Sequence, residues 1–205
     1  MQEVFDRFSS LVRSKGDISE HLPTLAKYAS QCESVLELGV RGCVSTWAFL
    51  VGLLQNNRQK KELLMNDINE CDVQRATAVG TSLGVNMRHF WCNDLDLQFE
   101  NDSIDLVFID TWHVYGQLRR ELAKFSKISK KYIIMHDTTV DEFVGESVRC
   151  GNNIKEVAEK SKMSYIDVTV GLWPAIDEFL KENPQWVLHE RFFNNNGLTI
   201  LRRVS

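Results

Sequence analysis

Two short stretches concentrate side chains able to hold a metal or move a proton. They are Phe108-Ile-Asp110-Thr-Trp-His113-Val-Tyr115 and Ile134-Met-His136-Asp137-Thr138. Each closes an apolar run that reads as a buried strand, 104–109 and 132–135. If the two strands are neighbours, their carboxyl ends converge above one sheet. Carboxylate and imidazole groups that converge there suit a divalent cation and also suit general base catalysis.

A third stretch, Glu37-Leu-Gly39-Val-Arg-Gly42-Cys-Val-Ser45-Thr46, closes the strand 34–38 and opens an apolar helix, 46–54. Open α/β sheets bind ligands at such a junction. Glycine lets the backbone approach a ligand, and the first helical turn presents free N–H groups. The spacing is not the dinucleotide GxGxxG, because Glu37 stands two residues before Gly39. A carboxylate there repels a pyrophosphate and suits a cationic ligand carrying amine and hydroxyl donors. Asp67, after the next strand, can accept from a pair of hydroxyls, with Asn66 and Asn69 as the alternatives. Asn93 and Asp94 follow the third strand.

These residues need a parallel sheet to bring them together, and the chain alternates strand and helix patterns throughout. Strands are predicted at 34–38, 62–65, 87–91, 104–109, 132–135, 186–192 and 198–202, and helices at 46–54, 71–83, 114–125, 152–162 and 174–182. Two further helices are read before residue 30. Asn194-Asn-Asn-Gly197 is a turn, because both residue types tolerate positive φ, so the last two strands form a hairpin. The expected fold class is α/β: a doubly wound, Rossmann-like, seven-stranded and mostly parallel sheet with an antiparallel C-terminal strand. Residues 1–30 are expected to be helices packing on a single domain formed by 31–205. They would cover a ligand or support a homodimer.

The glycine turn resembles the first motif of class I S-adenosylmethionine-dependent methyltransferases. Its two-residue gap followed by Ser45-Thr46 is similar to sugar O-methyltransferases and cephalosporin-hydroxylase-like members. Asp110-x-x-His113, His136-Asp137-Thr138, the stretch from Gly171-Leu-Trp-Pro174 and the Asn-Asn-Gly-Leu-Thr hairpin carry the resemblance over residues 30–203. It implies S-adenosylmethionine as cofactor, bound by Glu37, Gly39, Gly42, Ser45, Thr46, Asp67 at the ribose and Asp94 at the adenine. It implies methyl transfer to an oxygen of a sugar or glycan, or of a small phenolic acceptor. It also implies a divalent metal on Asp110 and the pair His136–Asp137. One member of that pair is a histidine, which suits Mn²⁺ better than Mg²⁺. His136 is then a ligand or a base, and His113 is the other candidate base. Trp112 and Tyr115 are candidates to stack on a sugar face or to pack in the core. Asp141, Glu142, Arg149 and Asn152 are candidate acceptor contacts on a loop otherwise expected to face solvent. No 2-His-1-carboxylate iron signature stands at its usual spacing.

Composition limits the alternatives. A net charge of −4 over 205 residues argues against a broad nucleic-acid surface. The basic clusters at 60–61, 119–120 and 127–131 read as solvated helix faces and loop ends. Five cysteines without a CxxC pair point away from a disulfide framework or a zinc site, and toward free thiols in a reducing compartment. No signal peptide and no membrane span are read, so a cytoplasmic location is expected. A domain of a larger glycan-modifying enzyme, a non-catalytic cofactor-binding protein and a nicotinamide-dependent oxidoreductase are the competing readings.

Overall fold

The computed structural model describes residues 1–204. The chain runs α1 (Gln2–Val12), α2 (Leu22–Ala29), β1 (Ser34–Leu38), α3 (Val44–Gln55), β2 (Glu62–Asp67), α4 (Gln74–Ser82), β3 (Asn86–Trp91), β4 (Ile104–Ile109), α5 (Tyr115–Ile128) and β5 (Ser129–His136). It continues through α6 (Glu146–Arg149), α7 (Ile154–Ser161), α8 (Tyr165–Thr169), α9 (Leu172–Glu182), β6 (Trp186–Phe192) and β7 (Leu198–Arg203). Short 3₁₀ turns stand at Ser19–His21 and Asp94–Asp96. The seven strands form one sheet in the order β3-β2-β1-β4-β5-β7-β6. The first five are mutually parallel, and β7 enters antiparallel between β5 and β6. This is the mixed doubly wound sheet expected from the sequence.

Strand side chains alternate between two apolar layers, as the period of two requires. Val35, Leu63, Met65, Leu106, Phe108 and Ile134 pack with α2 and α3 on one face. Leu36, Leu38, Leu64, Val107, Ile109 and Met135 pack with α5 and α9 on the other. Helix α3 is buried from Ser45 to Leu54 because α1 and α2 cover its outer side. The N-terminal helices therefore lie mainly over α3, and only Asp17 and Ile18, between α1 and α2, reach the rim of the central cavity.

Strand β1 is central, and its switch of direction between β2 and β4 opens a crevice at the carboxyl ends of the strands. Gly39 makes the exit possible. Its φ is +89°, and an added Cβ would sit 1.9 Å from the Asp110 carbonyl oxygen. Helix α4 begins at Gln74 rather than at residue 71, because the Asp72 side chain accepts from the Gln74 N–H and turns the chain there. The segment between β5 and α9, unassigned at 138–151 and 163–173, forms two additional short helices, α6 and α8. No helix is long and apolar enough to cross a membrane.

Candidate functional site

A cavity of about 760 Å³ runs along the carboxyl ends of β1, β2, β4 and β5. It is lined by the Gly39–Gly42 loop, Asp67 and Asp94 and by the adjoining cluster of Asp110, His113 and Asp137. Glu146 on α6 and residues 160, 161 and 163 at the end of α7 form part of its outer wall.

Glu37 sits beneath the glycine turn rather than in the cavity wall. It is fully buried, and both its oxygens accept from the first turn of α3, from Ser45 Oγ and from Thr46 Oγ1 at 2.8 Å. Burial pushes its carboxyl up to about 8, against the pull of those two hydroxyls. Asp67 does line the cavity. Its Oδ2 accepts from the N–H groups of Val40 at 3.1 Å and Arg41 at 3.0 Å, and its Oδ1 accepts from Asn69 N–H at 3.0 Å. Burial opposes its charge, but these three donors outweigh burial and lower its pKa. Asp67 thus clamps the glycine loop while keeping further acceptor capacity toward the cavity. Asn66 is buried and donates to the carbonyls of Phe90 and Cys92. Gly42 and Ser45 also border the cavity, while Thr46 is buried behind them. Space around Gly42 is open, so a side chain there meets nothing.

Asp94 is buried against the cavity and lies beside Glu121 of α5. Gln117 Nε2 donates to both, at 3.2 Å to Asp94 Oδ1 and at 2.8 Å to Glu121 Oε1. Thr111 Oγ1 donates to Glu121 Oε1 at 2.5 Å. Burial raises both carboxyls above their ordinary pKa, Glu121 furthest.

In the adjoining cluster, His113 is ringed by carboxylates. Its Nε2 is 3.2 Å from Asp110 Oδ1, and its Nδ1 lies 3.2 Å from Asp137 Oδ2, 3.4 Å from Asp141 Oδ2 and 3.7 Å from Glu146 Oε2. His136 Nδ1 faces Asp110 at 3.4 Å and Asp137 at 3.6 Å, and its Nε2 contacts the Asn195 carbonyl at 3.2 Å. Burial disfavours charge on both rings, but the carboxylates outweigh it. They raise His113 well above its ordinary value and push His136 up to about 10. Burial likewise opposes charge on Asp110, yet the two imidazoles hold it well below the usual carboxylate range. Asp137 occupies a left-handed backbone conformation with φ +57°, a strain found at functional positions.

The donor set fits a divalent cation. Ligand atoms of Asp110, His113 and Asp137 all lie within 4.8 Å of one another. His113 Nδ1 and Asp137 Oδ1 are buried without an aligned hydrogen-bond partner. The tightest group thus contains His113 in the place expected for His136, although His136 lies against the same two carboxylates.

Among the loop candidates, Asp141 is fully buried instead of solvent-facing, held by Arg149 at 2.6 and 2.9 Å. Glu142 is paired with Arg191 at 2.7 Å, and Asn152 is exposed. Trp112 lines the cavity, whereas the Tyr115 hydroxyl donates to Glu178 at 2.7 Å. Sequence reasoning did not single out Thr111, Gln117, Glu121 or Glu146. A signal existed for one of them: Glu121 falls on the apolar stripe of α5 that carries Leu118, Leu122 and Phe125.

No protein-family model matches the chain, and no curated protein matches it. Solved structures do. An O-methyltransferase from Bacillus cereus in complex with SAH superposes with a TM-score of 0.56 at 16% identity, covering 99% of this chain and 90% of that one. Magnesium protoporphyrin IX methyltransferase from Synechocystis, also with bound SAH, gives 0.56 at 14% identity, covering 98% and 94%. The N-methyltransferase NodS from Bradyrhizobium japonicum gives 0.54 at 12% identity, covering 92% and 97%. At these identities the likeness establishes the fold.

Proposed function

We propose that the protein is an S-adenosylmethionine-dependent O-methyltransferase acting on a small-molecule hydroxyl, with a sugar as the favoured acceptor and a divalent cation assisting. The observation that carries this reading is the cavity itself. It joins a glycine-loop pocket, edged by Asp67 and Asp94, to a cluster able to bind a metal and accept a proton. Two of the three solved structures compared above hold SAH.

The methyl donor supplies an already activated carbon, so the protein's task is to orient the acceptor and relieve its oxygen of a proton. Asp67 fixes the loop that would pack along the nucleoside and retains one acceptor position for a ribose hydroxyl. Ile68, unusually exposed for its type, offers an apolar surface in the same wall. Trp112 provides a flat face on the acceptor side. Asp110, His113 and Asp137 would hold the cation, which when bound lowers the pKa of a coordinated hydroxyl. Loading the site requires His113 to give up its proton, so affinity for the metal should rise with pH. His136 stays charged between Asp110 and Asp137 and positions both. Asp141, clamped by Arg149, does the same for His113.

The test is incubation with methyl-labelled S-adenosylmethionine and a panel of sugars, nucleotide sugars and phenols, with EDTA or added Mn²⁺. Labelled sugar formed only with metal supports the full reading. Labelling of phenols alone moves the acceptor class, and metal-independent labelling removes the cation. No labelling together with no cofactor binding removes the methyltransferase reading.

A further inference from the structure

The carboxyl pair behind the adenine end is the strongest unassigned feature. Asp94 and Glu121 lie side by side at hydrogen-bonding distance, one lining the cavity and the other fully buried behind it. Three of the donors nearby are accounted for. Gln117 bridges Asp94 Oδ1 and Glu121 Oε1, Thr111 donates to Glu121 Oε1, and Lys124 Nζ is engaged by the Leu95 carbonyl. Arg120 lines the cavity on the same helix and pairs with neither carboxyl. One oxygen of each acid is left over: Asp94 Oδ2 and Glu121 Oε2 are buried and without any donor. Two buried carboxylates with no cation between them cannot both stay ionised, whereas a single proton between the leftover oxygens satisfies both.

We propose that Glu121 is a positioning residue. Its carboxyl shares one proton with Asp94 and fixes Asp94 as an acceptor, turned to the cavity, for the exocyclic amine of a 6-aminopurine. The inference rests on the reading of this cavity as an S-adenosylmethionine site, and adds how the base is selected. A 6-oxopurine offers an acceptor where the amine offers a donor, so the fixed acceptor discriminates against it. Gln117 and Thr111 occupy the other Glu121 oxygen, Oε1, and leave Oε2 for the shared proton.

Calorimetric titration with S-adenosylhomocysteine and with S-inosylhomocysteine tests this on wild type, E121Q and E121A. Wild type should prefer the adenine ligand. E121Q, whose amide N–H replaces the donated proton, should retain that preference. E121A should bind S-adenosylhomocysteine at least about tenfold more weakly and lose most of the discrimination. The infrared difference spectrum of wild type minus E121Q should show one protonated-carboxyl C=O band beyond the one that Glu37 contributes to both proteins, a readout independent of whether E121A folds. Equal behaviour of E121A and wild type, equal loss in E121Q and E121A, or absence of the band overturns the proposal while leaving the cofactor reading intact. Failure of wild type to bind S-adenosylhomocysteine overturns both.

Discussion

At the scale of single residues, the site combines groups held in unusual charge states by identifiable neighbours. Asp110 is ionised because two imidazoles face it, and it belongs both to the candidate metal set and to the cavity wall. Replacing it by Asn should lower methyl transfer by about 100-fold or more, while S-adenosylhomocysteine affinity changes by only a few-fold. Full activity in that variant removes Asp110 from the chemistry. Glu37 makes a separate prediction. Its folded value near 8 lies above the ordinary 4.5, so between those pH values the folded protein holds a proton that the unfolded chain has released. Its contribution is complete below 4.5 and is lost as pH rises through 8. In E37Q the melting temperature should therefore fall less steeply over that window than in wild type. Parallel pH profiles would show that Glu37 is ionised in the folded protein. The chemistry-bearing pairs were legible in the sequence because Asp110-x-x-His113 and His136-Asp137 follow apolar strands. The carboxyl of Asp141 was not, since its burial arises from contacts between distant elements and leaves no local spacing to read, while Glu121 left a trace only in its place on the apolar stripe of α5.

At the scale of elements, six strands were legible to within two residues, while β5 begins at Ser129, three residues before the predicted 132. Their apolar runs are short, dense and bounded by turn residues, and the buried sheet demands that composition. The helix ends were less so. Side chains fix some of them: Asp72 accepts from the Gln74 N–H ahead of α4, and the Ser164–Asp167 capping box starts α8. Helices α6 and α8 are too short to produce an amphipathic period, though α6 carries Glu146 to the cavity and Arg149 to Asp141. Gly171 at the start of α9 illustrates the coupling. A Cβ there would lie 2.3 Å from the Asp141 carbonyl oxygen. G171A should displace Asp141 and reduce transfer more than cofactor binding, as measured by separate turnover and titration. G39A acts at the glycine turn. A methyl group at φ +89° pressed on the Asp110 carbonyl should cost about 2–4 kcal/mol of stability in urea denaturation and abolish cofactor binding. Wild-type stability in G39A would mean that the loop relaxes freely and does not define the pocket.

At the scale of the whole molecule, the sheet order places β1 and β4 side by side, so that the glycine turn and the Asp110–His113–Asp137 cluster share one crevice. The hairpin turn at Asn194–Gly197 ties the far edge back to the N-terminal segment. Asn195 Nδ2 donates to the Gly16 carbonyl, and His21 Nε2 contacts the Asn194 carbonyl at 2.9 Å. A ligand that binds only the folded state at 100 times its Kd adds about 2.7 kcal/mol, which for a chain of this size raises the melting temperature by roughly 5–10 °C. The direct measurement is a calorimetric titration of the wild-type protein with S-adenosylhomocysteine, with NAD⁺ titrated in parallel. The account predicts saturable one-to-one binding of S-adenosylhomocysteine and none of NAD⁺. Binding of NAD⁺ alone, or of neither, would contradict it.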